Sequence, residues 1–273
     1  MMVDTHSPFG IPGNFFISEK YNVKVVIDPN KNYFTNQIIN DRNKYEKLLL
    51  IHGCEPPLLN DISSLIINKS SYFDKIYSYS NEVLEKCNNS EIFNFGSCWV
   101  LTNKDGNKCD LKKEYVNIFT TEKNFQLSFI KSGKLFLPGH KFRNVLEPVI
   151  RKKYNFDLFY PSNIPNKKDL FTNSMFHVVV ENSQFDNYFT EKIIDCFMSY
   201  TIPIYWGCPN INNFFNPNGV ITFNTPEELE NILNNLSEKD YYDRLEALKE
   251  NYQISYDKYA FFFDKVNDMI SKI

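Results

Sequence analysis

Short apolar runs alternate with polar turns and amphipathic stretches along the whole chain. Residues 23–27 (VKVVI), 47–52 (KLLLIH), 75–79 (KIYSY) and 92–95 (IFNF) are rich in β-branched and aromatic side chains and read as strands. After Pro56 and Pro57, residues Leu58, Ile62, Leu65 and Ile66 fall at helical spacing, and 82–86 forms a short helical piece. A second set of strands is predicted at 125–130 (FQLSFI), 176–180 (FHVVV), 202–206 (IPIYW) and 220–223 (VITF). One helix enters after Gly139 with Val145, Leu146, Val149 and Ile150 apolar. Another follows Thr190, a predicted N-cap, with Glu191 in its first turn and Ile193, Ile194, Phe197 and Met198 on one face. The chain ends in predicted helices at 225–236, opened by Thr225 and Pro226, then 240–252 and 255–270. Alternation of this kind predicts α/β folds with parallel sheets. The polar stretch at 102–113, with Asp105-Gly106 as a turn, divides the chain into expected domains 1–120 and 121–273.

Length and composition narrow the class. A chain of 273 residues can bury one large core or two modest ones. The net charge of -3 gives no basic field, so nucleic acid is not an expected partner. No apolar run approaches the ~20 residues that span a bilayer. The opening MMVDTHSPFG has neither a basic region nor an apolar core of the secretory kind, so a cytoplasmic protein without a membrane anchor is expected. The six cysteines show no CxxC pair and no metal-ligand spacing with the four histidines, which predicts reduced thiols and no metal site. Aromatic residues make up 16% of the chain, enough to fill cores and also to line a cleft.

The chemistry concentrates between Phe176 and Gly207. A strand, a polar loop, a helix and a second strand form a crossover that makes the strands parallel and sets the loop at the carboxyl end of the first, where open α/β sheets bind ligands. Glu181 and Asn182 leave that strand, and Lys192 sits just inside the helix. Backbone N–H groups of the first helical turn and an ammonium can hold a pyrophosphate, while Glu191 can accept from ribose hydroxyls. The same spacing also fits a capped helix whose Glu and Lys are merely solvated. Arg143, early in its own helix after a strand, offers a second cation of the planar, bidentate kind. Glu55 follows strand 47–52 in a turn fixed by two prolines, and His52 and His140 lie close to these segments as weaker candidates.

Phe176, Glu181, Asn182, Tyr188, Thr190, Glu191 and Lys192, followed by Pro203, Ile204, Tyr205 and Gly207, resemble the signature of the α1,3-fucosyltransferase family, glycosyltransferase family 10. The resemblance implies GT-B architecture, with two Rossmann-like domains facing a central cleft and one of the last helices returning to the first domain. It implies donor binding by Arg143, Glu181, Asn182, Tyr188, Glu191 and Lys192, with Asp157, Phe159 and Tyr160 resembling a short segment that follows the arginine. It also implies GDP-fucose as donor, a GlcNAc- or glucose-containing glycan as acceptor, inversion at the anomeric carbon, no essential metal or cofactor, and Glu55 as base. Around Glu55 the pattern departs from the family, with Cys54 between Gly53 and Glu55 and Pro56 where Asn is usual. Three alternatives stay open on the sequence: a GT-B enzyme using another nucleotide sugar, a non-catalytic nucleotide- or glycan-binding protein, and a nucleotide-binding domain unrelated to sugars.

Overall fold

The computed structural model describes residues 14–53, 62–94, 96–100, 119–153 and 167–273. Glu55 and the segment bearing Asp157, Phe159 and Tyr160 lie outside the described residues. The chain falls into two compact units. The first comprises Met1–Phe95, Asp186–Tyr188 and Lys265–Ile273, and the second Gly96–Phe185 and Phe189–Asp264.

The first unit is built on strands β1 (Asn14–Ser18), β2 (Val23–Ile27), β3 (Lys47–His52), β4 (Lys75–Ser78) and β5 (Ser90–Ile92), hydrogen-bonded in that order. The β1–β2 pair is antiparallel and the rest are parallel. Leu48, Leu49, Leu50 and Ile51 of β3 are fully buried, which is why this strand reads as a continuous apolar run and not as an alternation. Helices α1 (Ile38–Lys44), α2 (Ser63–Asn68) and α3 (Asn81–Lys86) accompany the sheet, and Ile38, Ile66 and Val83 enter its core. The pattern does not predict α1 or the π-helical turn Tyr33–Gln37 before it. Across both, only Tyr33, Phe34 and Ile38 are buried, too sparse a set to show helical periodicity. Partly buried Lys265 of this unit donates to the Asn94 carbonyl at 3.4 Å and lies 4.9 Å from the Phe93 ring centre, and burial pushes its amine down to about 7.

Strands β6 (Asn124–Phe129), β7 (Ser174–Val180), β8 (Ile202–Trp206) and β9 (Ile221–Thr222) form an all-parallel sheet in chain order in the second unit. Every residue of β7 and β8 is buried. Pro203 is tolerated inside β8 because β9 begins pairing only at Ile204, so a proline's missing N–H matters least there. Helices α4 (Pro138–Lys153), α5 (Lys168–Thr172), α6 (Glu191–Met198), α7 (Pro226–Asn235), α8 (Glu238–Asp243) and α9 (Leu245–Lys258) complete the α/β unit. Thr225 caps α7 by accepting from Glu228 N–H at 3.2 Å, with Pro226 at its first position, as the sequence predicts.

The last helices break elsewhere than their periodicity suggests. Ser237 and Asp240 form a capping box that starts α8 separately, and α9 runs on to Lys258 before α10 (Phe262–Ser271). The interruption falls where Ala260 and Phe261 turn into the core and the Ser255 carbonyl accepts N–H from both Tyr259 and Ala260. Cys87, Cys98, Cys196 and Cys208 are buried and form no disulfide. Among the described residues no helix is long and apolar enough to cross a membrane.

Candidate functional site

The first turn of α4 packs against the carboxyl end of β7. Gly139 makes this possible: its N–H donates to the Asn182 carbonyl at 2.9 Å, and a Cβ there would lie 1.8 Å from the Glu181 carbonyl oxygen. So close an approach requires glycine. One turn further along α4, the Arg143 guanidinium donates to the Val180 carbonyl and, at 3.1 Å, to Asn182 Oδ1. His140 shares this face, with Nδ1 accepting the Leu137 N–H at 3.3 Å and its ring edge-on to Phe136. The geometry therefore fixes Arg143 and Asn182 to one another at the strand end.

Between β7 and α6, Glu181 organises the loop. Its fully buried carboxylate accepts Thr190 N–H at 3.0 Å and the Thr190 hydroxyl at 2.7 Å, and lies 3.3 Å from Lys192 Nζ. Thr190 occupies the N-cap position of α6, but its side chain makes no cap bond. The predicted cap is replaced because a buried carboxylate must be supplied with donors, and the Thr190 hydroxyl is one of them. Lys192 completes the cluster, donating to Thr190 Oγ1 at 2.9 Å and lying 3.3 Å from Glu191 Oε1.

These elements surround a cavity of about 470 Å³ within the second unit, at the carboxyl ends of β6 and β7 and the N-terminal turns of α4 and α6. That volume lies within the range of small-molecule sites. One end is charged, with Arg143, Asn182 and Lys192. The other is aromatic, with Trp99, Phe171 and His177, and Lys167 beside them. Glu191 lies between the two ends, influenced by both Lys192 and Lys167. Burial, the largest single influence on the Glu191 carboxyl, raises it, but the two lysines and a hydrogen bond from Thr190 together outweigh that effect and hold it below the usual carboxylate range. Burial likewise works against the Lys167 ammonium, yet Asp195 and Glu191 keep it protonated.

Lys167 is held by fully buried Asp195, whose other oxygen accepts Trp99 N–H at 2.6 Å, and its ammonium sits 5.3 Å from the Trp99 ring centre. On β7, His177 Nδ1 is 2.8 Å from Ser128 Oγ and the ring packs 4.7 Å from Phe171. Burial, helped by the charge on Lys167, pushes His177 down to about 3, so the imidazole is neutral near pH 7.

Of the donor-binding residues expected from the sequence, Arg143, Asn182, Glu191 and Lys192 line the cavity together. Glu181 and Tyr188 do not line it. Glu181 stands behind Thr190, and Tyr188 is buried in the first unit with its ring 5.5 Å from Tyr79. His140 lines the cavity, whereas His52 is buried in the first unit, with Nδ1 2.9 Å from Ser78 Oγ. Trp99, Lys167 and His177 escape the sequence reading. The signals that could have found them were a histidine inside an apolar strand and an aspartate, Asp195, inside an apolar helix face. Among the described residues no group of three or more His, Cys, Asp or Glu could hold a metal ion.

The model of glycosyltransferase family 10 (fucosyltransferase) C-term matches residues 141–267. An alpha-(1,3)-fucosyltransferase of Helicobacter pylori is 35% identical over 109 residues, 38% of this chain. The matched part spans 22% of that curated relative's length. Among solved structures, an alpha1,3-fucosyltransferase with GDP is 22% identical, covering 75% of this chain and 66% of that one, with a TM-score of 0.48. An alpha-glucosyltransferase in complex with UDP-glucose and DNA is 14% identical, covering 92% and 80%, with a TM-score of 0.49.

Proposed function

We propose that the chain, whose residues 141–267 match the C-terminal model of glycosyltransferase family 10, is an α1,3-fucosyltransferase of GT-B architecture. It moves fucose from GDP-fucose to a GlcNAc- or glucose-containing glycan. The observation that carries this reading is the convergence of Arg143, Asn182, Glu191 and Lys192 on one cavity at two helix N-termini. That set suits a nucleoside diphosphate: cations and helix N-termini for the phosphates, a carboxylate for ribose hydroxyls.

In this mechanism the acceptor hydroxyl attacks the anomeric carbon of fucose from the face opposite the nucleotide, and Glu55 takes its proton. The bond between that carbon and the diphosphate oxygen breaks, and the configuration inverts. Negative charge growing on the departing GDP is offset by Arg143, by Lys192 and by the unpaired N–H groups at the start of α6. These side-chain cations take the role that a metal would fill elsewhere, so turnover is expected to persist in chelator. Glu181 supports the reaction indirectly, through the loop that presents Glu191 and Lys192.

The test is release of GDP from GDP-fucose, with and without N-acetyllactosamine or lactose, by the native protein and Glu55→Gln. Acceptor-dependent release that falls by about 10²-fold or more in the variant supports the assignment. Tight GDP binding with no turnover on either acceptor removes the proposed acceptor class. No GDP binding at all removes the donor.

A further inference from the structure

The charged and aromatic ends of the cavity are not interchangeable. Neighbouring side chains link Lys192 to Glu191, Glu191 to Lys167, Lys167 to Trp99 and His177, and His177 to Phe171. A nucleoside diphosphate has the same order: phosphates, ribose, base.

At the aromatic end one polar atom stands apart. His177 is 4% exposed, and its Nδ1 is satisfied by Ser128. The structure gives Nε2 no protein partner among the described residues, and the residue lines the cavity. The atom opens to the cavity and is not sealed in the core, so a bound molecule can replace water as its partner. Ser128 and the Phe171 ring hold the imidazole in orientation, so Nε2 is presented at a fixed place. Lys167 does not compete for a ligand here, since its charge is committed to Asp195 and faces the Trp99 ring.

We propose that this end is a nucleobase subsite in which His177 Nε2 hydrogen-bonds the polar edge of the base and Trp99 covers part of its face. The proposal rests on the nucleotide-sugar reading above and adds which residues read the base. A planar base fits these walls, because it offers a π-face to aromatic rings and confines its polar atoms to an edge. A sugar fits them poorly. Its hydroxyls point outward on all sides, and walls of Trp99, Phe171, Ile130 and Val178 would leave most of them without partners. His177 therefore acts as a specificity-determining residue, and its neutrality keeps the contact constant across physiological pH.

The test is calorimetric titration of the whole chain with GDP, UDP and inorganic pyrophosphate, for the native protein, His177→Leu, His177→Gln and Trp99→Leu. His177→Leu should weaken GDP about tenfold, narrow the preference between GDP and UDP, and leave pyrophosphate within about twofold of native. His177→Gln, which keeps a polar terminus, should recover part of the loss. Trp99→Leu should weaken GDP by about five- to a hundredfold with pyrophosphate again unchanged. GDP should quench the native protein's tryptophan fluorescence and Trp99→Leu should abolish that quench, since the other tryptophan, Trp206, is buried against Phe142. Trp99 is 37% exposed, so its variant carries the test even where His177→Leu lowers the melting temperature. Native-like GDP affinity and base preference in both leucine variants would overturn the subsite while leaving the donor assignment intact. Failure of the native chain to bind GDP would overturn both.

Discussion

Replacing Glu181 by glutamine separates two roles that the sequence motif alone cannot distinguish: a ligand for the donor, or a strut beneath it. The side chain is fully buried and faces Thr190 N–H, the Thr190 hydroxyl and the Lys192 ammonium. In Glu181→Gln the amide oxygen can keep the Thr190 N–H, but the new NH2 then confronts the Lys192 ammonium and a Thr190 hydroxyl that must turn to accept from it. A hydrogen bond to a charged group is worth about 1.5–3 kcal/mol, and removing one member of a buried ion pair costs about 3–5 kcal/mol. Lys192 retains Glu191 at 3.3 Å, so the lower end applies, about 3 kcal/mol in total. At roughly 2–4 °C per kcal/mol for a protein of this size, the melting temperature should fall by about 6–12 °C. Scanning calorimetry measures this, and GDP titration at a temperature where both proteins are folded measures the second consequence. A strut predicts the loss of stability with an affinity change that follows from a loosened loop. Glu191→Gln, at the cavity wall, should weaken GDP directly, with a smaller loss of stability because Lys192 keeps Glu181 and Lys167 keeps Asp195. A Glu181→Gln protein that melts within about 2 °C of native yet binds GDP tenfold more weakly would refute this account and make Glu181 a direct ligand.

Two further perturbations test the frame around the site. Gly139→Ala puts a carbon 1.8 Å from the Glu181 carbonyl oxygen. The first turn of α4 must then move off β7, at a cost of about 1–3 kcal/mol or more, and calorimetry should show GDP affinity falling with it because Arg143 rides on the same helix. Lys265→Met should change the pH dependence of stability in the first unit. The folded amine titrates at about 7 and the unfolded one near its ordinary value of 10.5. In that window the unfolded chain binds the extra proton, so native stability should rise from pH 7 towards 10.5. Urea unfolding across that range should show the rise in the native protein and a flatter profile in the methionine variant; identical slopes would show that Lys265 is not shifted.

The central strands were legible because parallel sheets bury both faces, whereas the edge strands β1, which was not expected, and β5, expected at 92–95 and found at Ser90–Ile92, carry no such run. LLLI in β3 and VVV in β7 leave no polar alternation to confuse with a helix. The region 33–44 was not legible, since its helical turns are held by three buried residues in an otherwise polar run. The final helices misled in register because their ends are set by the Ser237–Asp240 capping box and by core packing at Ala260, neither of which periodicity reports. Asn182, Glu191 and Lys192 were legible through a motif of fixed spacing and Arg143 through its place early in a helix after a strand, and the structure brings the four together. Glu181 belongs to the same motif, but spacing could place it without revealing which way its carboxylate is spent. Trp99 lies far from Lys167 and His177 in the chain, and only folding brings it beside them.

The buried thiols have a practical consequence. Cys87 belongs to the first unit and Cys196 to the second, both closed to solvent, and burial pushes both thiols up, so the reactive thiolate is scarce in the native state. An alkylating reagent can reach either sulfur only when the surrounding core opens. Labelling followed residue by residue would then time those openings separately, one clock for each unit. Nucleotide should slow the clock at Cys196, which sits on the helix whose first turn carries Glu191 and Lys192.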